Sequence, residues 1–305
     1  MRTWWALALA LVACDSTDDP IALDQPIVVQ QGDFKQGALP SSEANTALRI
    51  TSFALGFGTL RPGTRNAQVT GRASETAYSV GVRFADQGTG YWVRPVGGVD
   101  PLIPGELQWQ LSLDASVEIE AGLHQLEVVA FDKDGKPGVK QALAVCVAAD
   151  IPDNGNACSP KTLPPYLIAH LSWDTDADLD LSLVAPDGTR FDRSKRSLLV
   201  NGKVLARLDN DGVVACLADG RRSENFIWND VPPTLGRWNI FANLFDACGK
   251  PAASFTLTIY TRTDNGDGTF ALTPIRSVGG DLLRQQANGG AGNPLFVTSV
   301  DFAAP

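Results

Sequence analysis

Along most of this chain hydrophobic and polar positions alternate with a period of two, the pattern of half-buried antiparallel strands. The clearest run is Leu167 to Thr189. Leu167, Ala169, Leu171 and Trp173 share one face, and after Asp174-Thr175-Asp176-Ala177 so do Leu179, Leu181 and Leu183. The run reads as an opening hairpin, two strands around a sharp turn, with Pro186-Asp187-Gly188 as the next turn. Further strand-like runs follow: a hairpin around Asn201-Gly202, then Asn225–Trp228, Gly236–Leu244 and Ala253–Thr261. Asp209-Asn210-Asp211-Gly212 is a polar turn, Gly279–Asn293 reads as an exposed loop, and Leu295–Phe302 as a closing strand. These elements define a second domain over 166–303.

Upstream, strand-like runs occupy Leu48–Phe57, Ala67–Ala73, Ala77–Phe84, Tyr91–Val93, Glu106–Leu113 and Ala121–Asp132, with a last strand ending near Cys146. About seven strands in roughly a hundred residues predict an immunoglobulin- or fibronectin-like β-sandwich over 47–148. Between the two domains, 149–165 (ADIPDNGNACSPKTLPP) is rich in Pro, Asn and Gly without periodicity and reads as a linker. The expected fold class is therefore all-β, with two sandwiches in tandem. No helix is predicted.

The N-terminus has a different pattern. Met1-Arg2-Thr3 is a short basic start, and Trp4–Ala13 is an apolar run too short to span a bilayer. Its close, Leu11-Val12-Ala13-Cys14, resembles the lipobox of bacterial lipoproteins. That resemblance implies a signal peptide over 1–13, cut before a Cys14 that is then lipidated, palmitate included. The polar segment 14–46 is expected to be a flexible tether from the membrane, in which Ile27-Val28-Val29 is either a short strand or only a sticky spot.

Composition adds constraints. Gly 29, Pro 19 and a single Met suit a turn-rich β protein, and a net charge of −9 disfavours nucleic acid as a partner. With Cys14 assigned to lipid, four of the five cysteines remain in an exported chain, where disulfides are the default. Pairing within domains gives Cys146–Cys158 and Cys216–Cys248.

The densest chemistry is Asp174, Asp176, Asp178 and Asp180, four carboxylates within seven residues. Asp178 and Asp180 project from one face of a strand and Asp176 lies just before them. With Asp209 or Asp211 alongside, these oxygens suit calcium rather than zinc. The alternative is a solvated acidic edge that discourages pairing with other chains. No catalysis is expected. His124 and His170 are the only two histidines, they fall in different domains, and no Gly-x-Ser-x-Gly is present. A paired-carboxylate hydrolase using the Asp-rich strands and Glu224 is disfavoured, because turn carboxylates are usually solvated. Tyr91-Trp92, Trp109, Trp228 and Trp238 are candidates for a sugar-binding platform, although Trp in an alternating strand more often belongs to the core.

Trp173-Asp174, Asp178-Leu179-Asp180-Leu181, Pro186-Asp187-Gly188, Glu224-Asn225 and Gly236-Arg237-Trp238 occur in an order that resembles the YfaP-type bacterial family of β-sandwich domains. The fold is also similar to jelly-roll modules found after secreted peptidases, some of which bind calcium or collagen. The two-domain layout is similar to lipoproteins of predatory or gliding Gram-negative bacteria. These resemblances imply a non-enzymatic module of the bacterial cell envelope, anchored by lipid, with the outer membrane or cell surface expected and the inner membrane as the alternative. Its partner would be an envelope protein or polysaccharide.

Overall fold

The computed structural model describes residues 25–42, 47–217 and 221–303. The expected signal peptide and Cys14 lie outside the described residues. The chain divides into two compact units that change over between Val145 and Cys146. Each unit is built from two antiparallel sheets, a sandwich-like arrangement.

The first unit contains β1 (Ile27–Val29), β2 (Asp33–Gln36), β3 (Ile50–Leu55), β4 (Ala67–Ser74), β5 (Ser79–Phe84), β6 (Gly90–Pro95), β7 (Glu106–Ala115), β8 (Gly122–Phe131) and β9 (Gln141–Val147). Its sheets run β1-β7-β4-β3 and β2-β6-β5-β8-β9. The seven strands read from alternation are present. The tether boundary at residue 46 is corrected, because β1 pairs with β7 and β2 with β6. Ile27 and Val29 are 2% and 1% exposed, so two alternate apolar side chains suffice to seat a three-residue strand. Trp92 Nε1 donates to the Ile27 carbonyl at 2.7 Å and holds that strand down.

The second unit contains β10 (Leu167–Trp173), β11 (Asp178–Val184), β12 (Arg190–Phe191), β13 (Ser197–Val200), β14 (Lys203–Leu208), β15 (Ser223–Trp228), β16 (Gly236–Asp246), β17 (Ala252–Asp264), β18 (Phe270–Leu283) and β19 (Leu295–Phe302). The sheets run β13-β14-β15-β10-β17-β18 and β12-β11-β16-β19. The opening hairpin is not formed. β10 pairs with β15 and β17, whereas β11 pairs with β12 and β16. Residues 174–177 cross from one sheet to the other, and both apolar faces enter one core from opposite sides. That core joins Leu167, Leu171 and Trp173 to Leu179, Leu181 and Leu183, and to Phe226, Trp228, Trp238, Leu257 and Ile259.

Turn chemistry explains the hairpins that do form. Asn201 and Gly202 have φ of 52° and 76° between β13 and β14, the pair of positive values a two-residue hairpin demands. β18 takes in the first five residues, Gly279–Leu283, of the stretch expected to be an exposed loop, pairing with β17 as far as Ala252↔Leu283. As an outermost strand it buries little, and its side chains show no alternation to read. Residues 149–165 are not a free linker. Phe270 N–H donates to the Pro160 carbonyl at 2.7 Å, Arg262 Nε to the Pro164 carbonyl at 2.8 Å, and Asn156 Nδ2 to the Phe270 carbonyl at 2.9 Å. A segment without periodicity is thus tied to the second unit by polar contacts.

Candidate metal centre

β11 sets the geometry. Its leucines turn into the core, so Asp178, Asp180 and Ser182 take the opposite face. That face is covered too, with Asp178 2% and Asp180 7% exposed. The cover is loop 209–217 between β14 and β15, whose Ala215 N–H donates to Asp178 Oδ2 at 2.9 Å. The same loop delivers Asp211. One carboxylate oxygen from each of Asp178, Asp180 and Asp211 lies within 4.8 Å of the others.

Glu224 reaches the same place from the other sheet. In β15 it is in phase with Phe226 and Trp228, and it is 1% exposed. Its Oε2 accepts the Leu181 N–H at 2.6 Å. That stretch of β11 needs a partner because β12 pairs only with Leu183 and Val184. On the β16 side, Asn243 stands opposite Asp180 and donates Nδ2 to Asp180 Oδ2 at 3.3 Å. Asn288 donates to Asn243 Oδ1 at 2.6 Å and so orients that amide. The remaining oxygen, Asp180 Oδ1, is buried with no hydrogen-bond partner.

Burial of several carboxylates together raises their affinity for protons. The Asp178 carboxyl is pushed up to about 6, first by burial and then by the charges of Asp180 and Asp211, against the Ala215 N–H and the Arg193 charge. Asp180 is raised chiefly by burial, and Glu224 rises well above its usual value for the same reason. Arg193 offsets part of this field while lying over the Phe245 ring, 4.0 Å from its centroid. An all-oxygen cluster with an unpartnered buried lone pair is suited chemically to a bound cation.

The five expected ligands separate into two groups. Asp178, Asp180 and Asp211 converge. Asp176 instead pairs with Arg222 at 2.9 Å, and both side chains are about half exposed. Asp209 accepts from the Asn225 backbone N–H at 3.0 Å and Nδ2 at 2.9 Å, fastening the loop to β15. Neither Glu224 nor Asn243 is among the expected ligands; the sequence sets Glu224 beside the Asp-rich strands only as part of a disfavoured hydrolase. The signal for Glu224 was a charged residue in phase with Phe226 and Trp228, where an apolar one is normal.

Both disulfides are formed, with Cα separations of 5.5 Å for Cys146–Cys158 and 5.3 Å for Cys216–Cys248. Each histidine is held by polar partners. His124 Nδ1 lies 2.7 Å from Asp86 Oδ2 and its Nε2 2.9 Å from the Glu120 carbonyl; His170 Nδ1 lies 2.7 Å from Asn225 Oδ1. Trp109, Trp228 and Trp238 are 3%, 1% and 1% exposed, so they form core rather than a sugar platform. Tyr91 and Trp92 are half-buried.

No family model and no curated protein matches the chain. Among solved structures it is similar to the fibronectin(III)-like modules of Clostridium thermocellum CbhA, at 14% identity over 75% of this chain and 92% of that one, with a TM-score of 0.20. It is similar also to a tetra-tandem repeat in the extending region of a large adhesion protein (10% identity, 90% and 75% coverage, TM-score 0.23). A third is the major pilin subunit of Bacillus cereus (12% identity, 77% and 67% coverage, TM-score 0.20). At such scores these likenesses carry no argument, and none of the comparisons supports the YfaP-type resemblance. The class rests on the chain's own geometry: an all-β protein of two sandwich-like units, the second with a buried carboxylate cluster.

Proposed function

We propose that this chain is a non-catalytic, lipid-anchored module of the bacterial cell envelope with a structural or protein-binding role. Its first unit is immunoglobulin- or fibronectin-like and its second jelly-roll-like, braced by calcium held between Asp178, Asp180 and Asp211. The observation that carries the calcium reading is the buried carboxylate cluster with Asp180 Oδ1 lacking a partner. Calcium fits because every donor is oxygen and the half-buried Asp211 leaves a side for water and entry. A bound ion would offset the mutual repulsion of the acids and anchor loop 209–217 to β11, giving a stiff module without asking it to do chemistry.

Extracellular modules bind calcium at about 0.1–1 mM. At tenfold excess over such a constant, the fold gains about 1.4 kcal/mol. Thermal melts should then show a midpoint about 3–6 °C higher in millimolar calcium than in EDTA. Superimposable curves would refute the cation. The anchor is tested separately. Mass spectrometry of the membrane fraction should find residues 1–13 absent and the Cys14 peptide carrying lipid, and an unmodified Cys14 in a soluble secreted protein would refute it.

A further inference from the structure

Asp178 and Asp180 are carried by a strand paired along its length with β16, but the third carboxylate and the Ala215 N–H arrive on loop 209–217. The conformation of that loop is not one its residues favour. Val213, Ala215 and Cys216 have φ of 57°, 52° and 64°, and Cys248 across from them has 50°. None is glycine, and left-handed backbone is least favourable for a β-branched residue such as Val213. A run of this kind persists only where its surroundings over-determine it.

Beyond the Asp209–Asn225 and Asn210–Ser223 bonds that fasten the start of the loop to β15, three further features hold it. Val213 is 1% exposed in the core. Gly212 fits where a Cβ would lie 3.0 Å from the Arg221 carbonyl oxygen and 3.3 Å from the Trp173 ring. The third fastening is covalent. Cys216, next to Ala215, is bonded to Cys248, and Cys248 lies two residues beyond Asp246, the register partner of Asp178. The disulfide therefore ties the ligand-bearing loop to the end of β16 that lies beside Asp178. Cys216 is exposed, so the bond is open to an external thiol.

We propose that the Cys216–Cys248 disulfide is a redox-sensitive clamp on the cation site, a reading that rests on the cation assignment above. With the bond intact, Asp211 and the Ala215 N–H stay over Asp178 and Asp180. Cleavage frees the loop to leave its left-handed conformation and withdraws the third carboxylate. The reductant is a dithiol. One of its thiolates attacks a cysteine sulfur to form a mixed disulfide, and its second thiol displaces that bond. Two electrons and two protons pass to Cys216 and Cys248, and the dithiol ends as its own cyclic disulfide. Linkage is reciprocal, so bound cation must oppose reduction by the same factor by which reduction weakens binding.

The test uses the full mature chain and calcium alone as the probe. Calorimetric titration compares the oxidised chain, the dithiothreitol-reduced chain, Cys216→Ser/Cys248→Ser, and Cys146→Ser/Cys158→Ser. Affinity should fall about tenfold in the reduced chain and in the first double variant, and stay within about twofold in the second. In parallel, alkylation and mass spectrometry follow reduction of each bond by dithiothreitol. At equilibrium with a dithiothreitol redox couple, calcium should lower the reduction constant of Cys216–Cys248 by about the same tenfold and leave that of Cys146–Cys158 unchanged; this arm uses wild type and decides the matter if a variant fails to fold. Equal calcium affinity in both redox states, with no protection of Cys216–Cys248, would overturn the clamp and leave the cation site standing. Absence of calcium binding to the oxidised chain would overturn both.

Discussion

Replacing Asp178 with Asn separates the charge of the cluster from its shape, since the amide oxygen of Asn can still accept the Ala215 N–H. In the protein Asp178 is raised from 3.8 to about 6. At about 1.4 kcal/mol per unit, holding it ionised in the fold costs at most about 3 kcal/mol, and about 1–3 kcal/mol once water reaching the site past Asp211 is allowed for. The sign follows from proton counting. Between pH 3.8 and about 6 the folded chain holds a proton on Asp178 that the unfolded chain has lost, so stability falls as pH rises and is flat above. Asp180 and Glu224 shift in the same direction. Asp192 and Asp187 are lowered and act with the opposite sign, so the informative quantity is the difference between wild type and variant. In EDTA, Asp178→Asn should gain on wild type from pH 4 to pH 7 by about 2–10 °C in melting midpoint. In millimolar calcium the variant's lead at pH 7 should shrink by about 3–6 °C, because calcium stabilises wild type by about 1.4 kcal/mol and binds the variant poorly. Differential scanning calorimetry across pH 4–8 with both additives reads this directly. Parallel curves for the two proteins under all conditions would mean that the Asp178 charge is neither penalised in the fold nor met by a cation.

Other consequences are sharper in sign than in size. Asp176→Asn removes only an exposed pair with Arg222, so the calcium-induced rise in melting midpoint should match wild type within about a degree; loss of that rise would put Asp176 among the ligands. Trp238→Ala removes a ring packed edge-on against Trp228 at 5.1 Å and beside Phe191 at 6.1 Å, and denaturant melts should show a loss of about 3–5 kcal/mol. A loss under about 1 kcal/mol would mean that this aromatic cluster is not the centre of the second core.

How far the sequence could be read depended on what each pattern encodes. Alternation over Leu167–Trp173 and Leu179–Leu183 assigned the faces that meet in the apolar core, because a period of two separates the two sides of a strand, but the opposite sides are buried as well. It does not state which strand lies alongside, so two strands in different sheets read as a hairpin. Strands that bury little were hidden for a related reason. β2 has the pattern DFKQ with a single half-buried residue, and most of β18 is exposed. The convergence of Asp178 and Asp180 was legible from their spacing, and Asp211 from its polar turn. What separated Asp211 from Asp209 was long-range. Asn225 of β15 binds Asp209, and Ala215 docks the rest of the loop on β11. The local disulfide pairs were legible because pairing within domains leaves few choices, whereas the left-handed backbone at Val213, Ala215 and Cys216 has no signal in those residue types.

A divalent cation held by Asp178, Asp180 and Asp211 between loop 209–217 and β11 is the feature on which the proposed function depends. Its most direct test is calorimetric titration of EDTA-stripped, oxidised mature chain with calcium at pH 7.5, beside Asp178→Asn/Asp180→Asn. One calcium per chain should bind with a dissociation constant of about 0.1–1 mM, weakened beyond measurement in the double variant. Binding of equal strength in both proteins, or no heat of binding up to about 10 mM calcium, ten times the weakest constant expected for such a module, would contradict it.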